Sequence, residues 1–251
     1  MRKPVPPCTG NGPDASGRED PCRTWTGVIS VYERNGSMLI KHIGHAEFLI
    51  ETESGVRIAT DPYDAGCGYP LRKVTADVAL ISHHHHDHDA VENLKGNPRM
   101  IDTAGQFKPE PDVKITAVHG FHDDAEGAKR GQTLLFLIET EGLRIVHLGD
   151  LGCRLDEAQL ESLKDPDVLM IPVGGFYTID AQQARDTAAQ LGARIILPMH
   201  YRTGYNSDWP IADQEDFLSL YDTAEICTEA EALRVTGGDL ECHPKIVVFK
   251  Q

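Results

Sequence analysis

The stretch S-H-H-H-H-D-H at residues 82–88 gathers five of the chain's 12 histidines in one short window. The spacing H-x-H-x-D-H fits this window once, at His83, His85, Asp87 and His88. Side chains two residues apart point the same way in extended chain, so His83 and His85 can bind one ion. The next two donors lie further along the loop and can serve a neighbouring ion. Imidazole and carboxylate donors without thiolate suit catalytic Zn²⁺, Mn²⁺ or Fe²⁺.

The elements around this window decide between a built site and a surface tract that binds metal adventitiously. Three apolar runs end in candidate ligands: V-A-L-I-S stops at His83, R-I-V-H-L-G at Asp150 and R-I-I-L-P-M at His200. Loops beyond strand ends often carry sites, because rigid strands hold them in place. We therefore expect the three runs to converge, which favours the built site.

Apolar periodicity predicts one domain at residues 26–251, with strands first and mixed strands and helices later. The predicted strands are 38–43, 47–51, 56–60, 78–81, 113–118, 133–139, 144–148, 168–172, 195–198 and 246–249. The predicted helices are 156–163, 181–191 and 211–221, the second of them capped by Asp180 with Gln183 three residues on. This order implies sheets covered by helices, the α/β class. Residues 1–25 are rich in Pro, Gly, Asp and Ser, which predicts a flexible extension.

Bulk composition limits the classes of partner. The net charge of −15 opposes nucleic-acid binding, in which Lys and Arg neutralise phosphates. No apolar run approaches the roughly 18 residues of a membrane span, and the first residues lack the apolar stretch of a secretory signal. We therefore expect a cytoplasmic protein whose partner is a small molecule. The six cysteines form no C-x-x-C pair, which predicts reduced thiols.

Further motifs occur in the same order as in a known family. Before the histidine window stand I-G-H-A-E-F-L-I-E and I-A-T-D-P-Y, and after it F-H-D-D, H-L-G-D-L-G and L-P-M-H-Y. Together with S-H-H-H-H-D-H, this set resembles the metallo-β-lactamase-fold hydrolases over residues 38–249. It most resembles the branch of L-ascorbate-6-phosphate lactonase-like and related Zn-dependent hydrolases. The resemblance implies a four-layer αββα sandwich, an α/β (α+β) fold, and it does not name a substrate.

The resemblance also implies two divalent ions, most readily zinc, with manganese or iron as alternatives. The implied ligands are His83, His85 and His122 for the first ion, Asp87, His88 and His200 for the second, and Asp150 bridging both. Asp61, in T-D-P-Y, would orient the histidine loop.

Two histidines of V-H-G-F-H-D-D are candidates for the third ligand of the first ion. His119 comes directly off the predicted strand 113–118, whereas His122 lies deeper in the loop. Asp123 or Asp124 could accept the second ring N–H of His122 and fix its tautomer. F-H-D-D followed by G-A-K-R-G resembles the family's stretch better than V-H-G does, so the resemblance favours His122.

Such a centre predicts hydrolysis. Two adjacent dications lower the pKa of a shared water, make a bridging hydroxide available and stabilise charge that develops on the substrate. Asp87 could take or steer the water proton. His45 and His147 could orient other groups or protonate a leaving group, and a purely structural role is the alternative for each. Tyr177 and Tyr201 are weaker candidates for donation to a developing oxyanion.

The sequence thus predicts a dinuclear hydrolase acting on a small, anionic ester, lactone or phosphoester. A phosphodiesterase or nuclease of the same fold and a non-catalytic metal-binding regulator are the alternatives, and assembly into a homo-oligomer stays open. Within the histidine window, His84 and His86 should be dispensable, because they point away from His83 and His85.

Overall fold

The computed structural model describes residues 27–29, 37–236 and 245–251. The predicted extension at 1–25, together with Cys8, Cys22 and Cys242, lies outside these ranges. The described strands are β1 (Gly27–Ile29), β2 (Ser37–Gly44), β3 (Glu47–Glu51), β4 (Arg57–Thr60), β5 (Val78–Leu80), β6 (Arg99–Ile101), β7 (Gly105–Glu110), β8 (Val113–Phe121), β9 (Gln132–Thr140), β10 (Leu143–His147), β11 (Val168–Pro172), β12 (Ile195–Met199), β13 (Ile226–Thr236) and β14 (Ile246–Phe249). The described α-helices are α1 (Glu157–Leu163), α2 (Ala181–Leu191) and α3 (Glu215–Leu218).

All ten predicted strands are present, with ends that move by at most three residues. The prediction misses β1, β6, β7 and β13. Strand β6, R-M-I, is very short, and β7, G-Q-F-K-P-E, has no buried side chain, so neither shows an apolar pattern. Strand β13 carries Glu and Ala, which have low strand propensity, and it forms because β2 and β14 pair with its two edges.

Two of the helix predictions match the structure and the third is correct only in part. Helix α2 has the expected bounds and a capping box in which Asp180 and Gln183 bond each other's backbone N–H. The helix predicted at 211–221 is α-helical only at Glu215–Leu218. Just before α3, the N–H of Ala212 donates to the carbonyl of Gly174 and Asp213 forms a β-bridge with Arg202. These contacts to other segments hold the chain out of helical conformation.

Hydrogen bonds join the strands in one path, in the order β6-β5-β4-β3-β2-β13-β14-β12-β11-β10-β9-β8-β7, with β1 parallel to β13. The two halves of this path pack face to face. Phe48 and Ile58, from the first half, share one buried cluster with Phe136 and Ile145, from the second. The main core therefore lies between two sheet layers.

The outer faces of the two layers are covered differently. On the second half, Leu163, Ala188 and Phe217 of the three helices join a buried cluster with the outward side chains of β9 to β12. On the first half, Ala79 and Ile81 pack beneath a 3₁₀ turn and its flanking loops, where the αββα arrangement led us to expect an α-helix. Within the described ranges, no helix is long and apolar enough to cross a membrane.

Candidate metal centre

Loops from both sheet layers meet at one end of the core. His83 follows β5, His122 follows β8, Asp150 follows β10 and His200 follows β12. Three backbone hydrogen bonds tie these loops together: Leu134 N–H to Ser82 O, Gly152 N–H to Phe121 O, and His200 N–H to His45 O. The convergence that the three apolar runs predict is therefore observed.

The carboxylate of Asp150 lies at the middle of this end. It is buried, and four imidazole nitrogens surround it. The distances are 3.2 Å from Oδ2 to His122 Nε2 and to His200 Nε2, 3.9 Å from Oδ2 to His83 Nε2, and 3.3 Å from Oδ1 to His88 Nε2. Asp150 thus contacts histidines from both of the ligand sets that the resemblance implies.

One set of donors comprises His83, His85 and His122, whose ligand nitrogens all lie within 4.8 Å of one another. Nε2 of His83 is 2.9 Å from Nδ1 of His85. Nε2 of His122 is left facing Asp150, because its Nδ1–H donates to the carbonyl of Tyr177 at 3.1 Å. These atoms could serve one ion.

A second set comprises His45, Asp87, His88 and His200, all four of them buried. Oδ2 of Asp87 lies 3.2 Å from His45 Nε2 and 3.5 Å from His88 Nε2. The ring of His45 also packs on that of His200, with 4.3 Å between centroids. His45 is thus close in space to the other three donors, although G-H-A lies far from the histidine window in the sequence.

Asp61 links the two sets through hydrogen bonds on their outer side. Its carboxylate accepts from the N–H and the hydroxyl of Ser82, both at 2.7 Å, and from Nδ1–H of His88 at 2.9 Å. Because the Ser82 hydroxyl gives its proton to Asp61, its oxygen accepts from Nδ1–H of His83 at 2.9 Å. Nε2 of both histidines is thereby left to face the centre. This is the arrangement that an orienting role for Asp61 requires.

The electrostatics of the pocket favour a bound cation. Burial lowers the pKa of His83 to about 3 and that of His45 to about 4, so both rings are neutral, the form that binds metal. Burial alone would raise the pKa of Asp150, but His200 and His88 hold it well below its usual range. Burial alone would likewise lower the pKa of His88, but the carboxylates of Asp150, Asp87 and Asp61 raise it well above its usual value. Positive charge is therefore stabilised between these carboxylates.

Several buried polar atoms at the centre have no hydrogen-bond partner within the described part of the chain. They are both ring nitrogens of His45, Nε2 of His88, Nδ1 of His200 and Oδ1 of Asp150. Unpaired buried polar groups are rare and call for an unseen partner. Nε2 of His88 and Oδ1 of Asp150 lie 3.3 Å apart without hydrogen-bond geometry, so the donors face a common point instead of each other. This donor set fits divalent ions.

The remaining candidate histidines lie outside the centre. His119 is exposed on β8, which runs to Phe121. His84 and His86 are exposed and pair with Asp89 and Asp64. His147 is buried, its Nε2–H donates to the carbonyl of Ala46 and its Nδ1 accepts from Gly149 N–H. With both ring nitrogens hydrogen-bonded to the backbone, His147 has no free nitrogen to offer a substrate in this geometry.

The structure also differs from the sequence predictions in the partner of His122 and in the surroundings of Tyr201. Neither Asp123 nor Asp124 orients His122, since a backbone carbonyl does so. The Asp123 carboxylate accepts four backbone N–H groups of its own loop, and Asp124 pairs with Lys129. Tyr201 is buried and its hydroxyl accepts from the side chain of Gln251, so it packs beside the centre.

An open cleft of about 600 Å³ leads to the centre. Its lining includes five of the candidate ligands: His85, Asp87, His122, Asp150 and His200. Arg130, Tyr177 and Trp209 form part of its walls, and no sequence pattern singles out Arg130 or Trp209. A small molecule that enters the cleft reaches both donor sets.

Comparison with known proteins identifies the family. The family model for the beta-lactamase superfamily domain matches residues 39–200, which include every candidate ligand. The chain belongs to this superfamily. A UPF0173 metal-dependent hydrolase from Thermococcus onnurineus is 32% identical over 217 residues, covering 74% of this chain and 94% of that protein. The protein is a metal-dependent hydrolase.

Solved structures extend the comparison to the fold. A crystal structure of a proposed Zn-dependent hydrolase of the metallo-β-lactamase superfamily from Thermotoga maritima has a TM-score of 0.70 and 38% identity, over 84% of this chain and 98% of that one. Igni18, a metallo hydrolase from Ignicoccus hospitalis, has a TM-score of 0.57 and 25% identity, over 73% and 90% of the two chains. The metallo-β-lactamase fold expected from the sequence is confirmed.

Three residues of the centre in this hydrolase have strained backbone. His45, Asp61 and His200 adopt positive φ angles of 51°, 36° and 52°, which non-glycine residues rarely do. Each such conformation costs about 1–3 kcal/mol and persists only where surrounding contacts impose it. The fold therefore fixes the directions of these three side chains at an energetic cost.

Gly152 allows the loop after Asp150 to pass directly against His122. A Cβ at residue 152 would lie 2.4 Å from both His122 C and Asp123 N. Gly152→Ala should therefore push His122 away from Asp150, reduce bound metal and lower stability by about 1–3 kcal/mol. Elemental analysis and urea unfolding measure the two effects. Gly204→Ala is the matched control, because nothing lies within 4 Å of its added Cβ, and full metal retention by Gly152→Ala would contradict the predicted contact.

Proposed function

We propose that this metal-dependent hydrolase uses two divalent ions to cleave a small, anionic ester, lactone or phosphoester. The observation that carries the proposal is the Asp150 carboxylate, which lies between two sets of histidines and within 3.9 Å of four imidazole nitrogens. A single ion would leave one set of buried donors without a partner. Such groups are costly to bury unpaired.

The proposed ligands divide as the family resemblance implies. His83, His85 and His122 would hold one ion, and Asp87, His88 and His200 the other, with Asp150 shared between them. Zinc is the first candidate, since nitrogen-rich sites with carboxylates suit it, and manganese or iron are alternatives. When bound, the ions would supply Lewis acidity and lower the pKa of water towards neutrality.

Asp87 and His45 are the proposed proton-handling pair. Oδ2 of Asp87 is 3.2 Å from Nε2 of His45, and Asp87 lines the cleft whereas His45 is buried behind it. Asp87 can accept a hydrogen bond from water in the cleft, and the neighbouring His45 ring can limit the movement of its carboxylate by contact. The His45 ring is fixed in turn by Trp209, at a centroid distance of 5.3 Å.

The charge of the cleft favours a small molecule over a nucleic acid. Among the described residues, Asp87, Asp150 and Asp208 line it, against a single Lys or Arg side chain, Arg130. A nuclease needs several such cations to neutralise phosphates. The non-catalytic alternative is disfavoured because all seven donors are present and open to the cleft or adjacent to it. A cytoplasmic site of action forms part of the proposal.

The direct test is a substrate panel of lactones, phosphodiesters and thioesters with protein made without a histidine tag. We expect hydrolysis of at least one class, loss of that activity with a chelator, and recovery when zinc, manganese or iron is restored. Full activity in protein shown by elemental analysis to be metal-free would contradict the proposal.

The histidine window provides its own matched controls. His83→Ala and His85→Ala should each lose most of the bound metal, because each removes a donor whose nitrogen lies 2.9 Å from the other. His84→Ala and His86→Ala remove exposed rings of the same tract and should retain it. Metal content per chain is the measurement. Equal losses in all four variants would show a nonspecific histidine tract.

A further inference from the structure

Among the described residues that line the cleft, Arg130 is the one Lys or Arg side chain. No carboxylate in the described ranges lies within ion-pair distance of its guanidinium, although the chain carries 39 acidic against 24 basic residues. Its Cζ lies instead 5.5 Å from the ring centroid of Tyr177 and 6.0 Å from that of Phe176. These contacts position the cation on aromatic faces and leave its N–H groups available.

The loop that carries Arg130 is held rigidly beside the centre. It begins at His122, whose N–H donates to the carbonyl of Gly131 at the base of the β8–β9 hairpin. The buried carboxylate of Asp123 accepts from four backbone N–H groups of the loop, including that of Arg130 at 2.7 Å. The Arg130 backbone is therefore fixed to the segment that carries a proposed ligand.

Phe176 and Tyr177, here called the aromatic platform, are also fixed to His122. The carbonyl of Tyr177 accepts the Nδ1–H of His122. Phe176, the preceding residue, is 62% exposed and has a φ of 55°. Its ring therefore adds little buried area to the core. Arg130, the aromatic platform and His122 are thus joined by direct contacts, so that Arg130 lies beside the donor set to which His122 belongs.

We propose that Arg130 is an anion subsite, which binds a carboxylate or phosphate that the substrate carries apart from the bond to be cleaved. The inference rests on the proposed function, because it places the reacting group at the metal centre. A guanidinium forms paired N–H···O hydrogen bonds with either anion, and no other cation lines the described cleft to do so. Tyr177, which lines the cleft, supplies an apolar surface beside the anion. The preferred substrates are therefore those with an additional anionic group.

Binding of small anions tests this without requiring turnover. Zinc-loaded protein is titrated calorimetrically with butyrate, succinate and 3-phosphonopropionate. All three offer one carboxylate to the metal centre, and the last two add a second anion, so that their comparison distinguishes carboxylate from phosphate recognition. We expect wild type to bind at least one of the two dianions about 10- to 100-fold more tightly than butyrate, as hydrogen bonds to charged groups provide.

Three variants separate the role of Arg130 from general charge. Arg130→Gln should lose the preference while its butyrate affinity stays unchanged, and Arg130→Lys should retain part of it. Lys129→Gln removes the same charge from the adjacent residue, which pairs with Asp124 outside the cleft, and should keep the preference. The subsite is overturned if wild type shows no preference, if Arg130→Gln keeps it, or if Lys129→Gln loses it equally. A preference that holds in a protein inactive on the whole substrate panel would contradict the proposed substrate classes but keep the subsite.

Discussion

The burial of one carboxylate, that of Asp150, constrains everything around it. A buried carboxylate is stable only when cations or hydrogen-bond donors compensate the lost hydration. Here four imidazole nitrogens face the carboxylate. The backbone N–H of Asp150 donates to the hydroxyl of Thr133 at 3.2 Å, which holds the residue in place. Because those histidines come from different strands in both sheet layers, the layers must end at the same point. The sandwich core positions the strands, and the strands position the ligands.

The loops accept strain and close contact to meet this requirement. Left-handed backbone at Asp61 and His200, and a glycine at 152 pressed against His122, are unfavourable choices for stability alone. They direct donors to a common point that the large apolar core between the layers can stabilise. Phe176 and Tyr177, in contrast, belong to none of the buried apolar clusters of the described residues, which leaves them and the adjacent Arg130 available for recognition.

The sequence predicts the parts of this structure that depend on local pattern. The apolar runs that stop at His83, Asp150 and His200 can be recognised in the sequence, and so can the capping box of α2. What it cannot show are partners supplied by distant backbone. The carbonyl of Tyr177 that orients His122 comes from 55 residues away. The bridge that replaces the predicted helix start at 211 and the edges that make β13 a strand arise only in the folded chain. The contact of Arg130 with Phe176 and Tyr177 likewise forms only in the folded chain, and no sequence spacing predicts it.

The central claim is that Asp150 lies between two metal ions. Anomalous diffraction from crystals of tag-free, zinc-loaded protein, recorded on both sides of the zinc absorption edge, tests it most directly. We predict two peaks, each about 2.0–2.3 Å from its protein ligands, one among His83, His85 and His122 and the other among Asp87, His88 and His200, with Asp150 between them. A single peak away from Asp150, or zinc only on His84 and His86, would contradict the account.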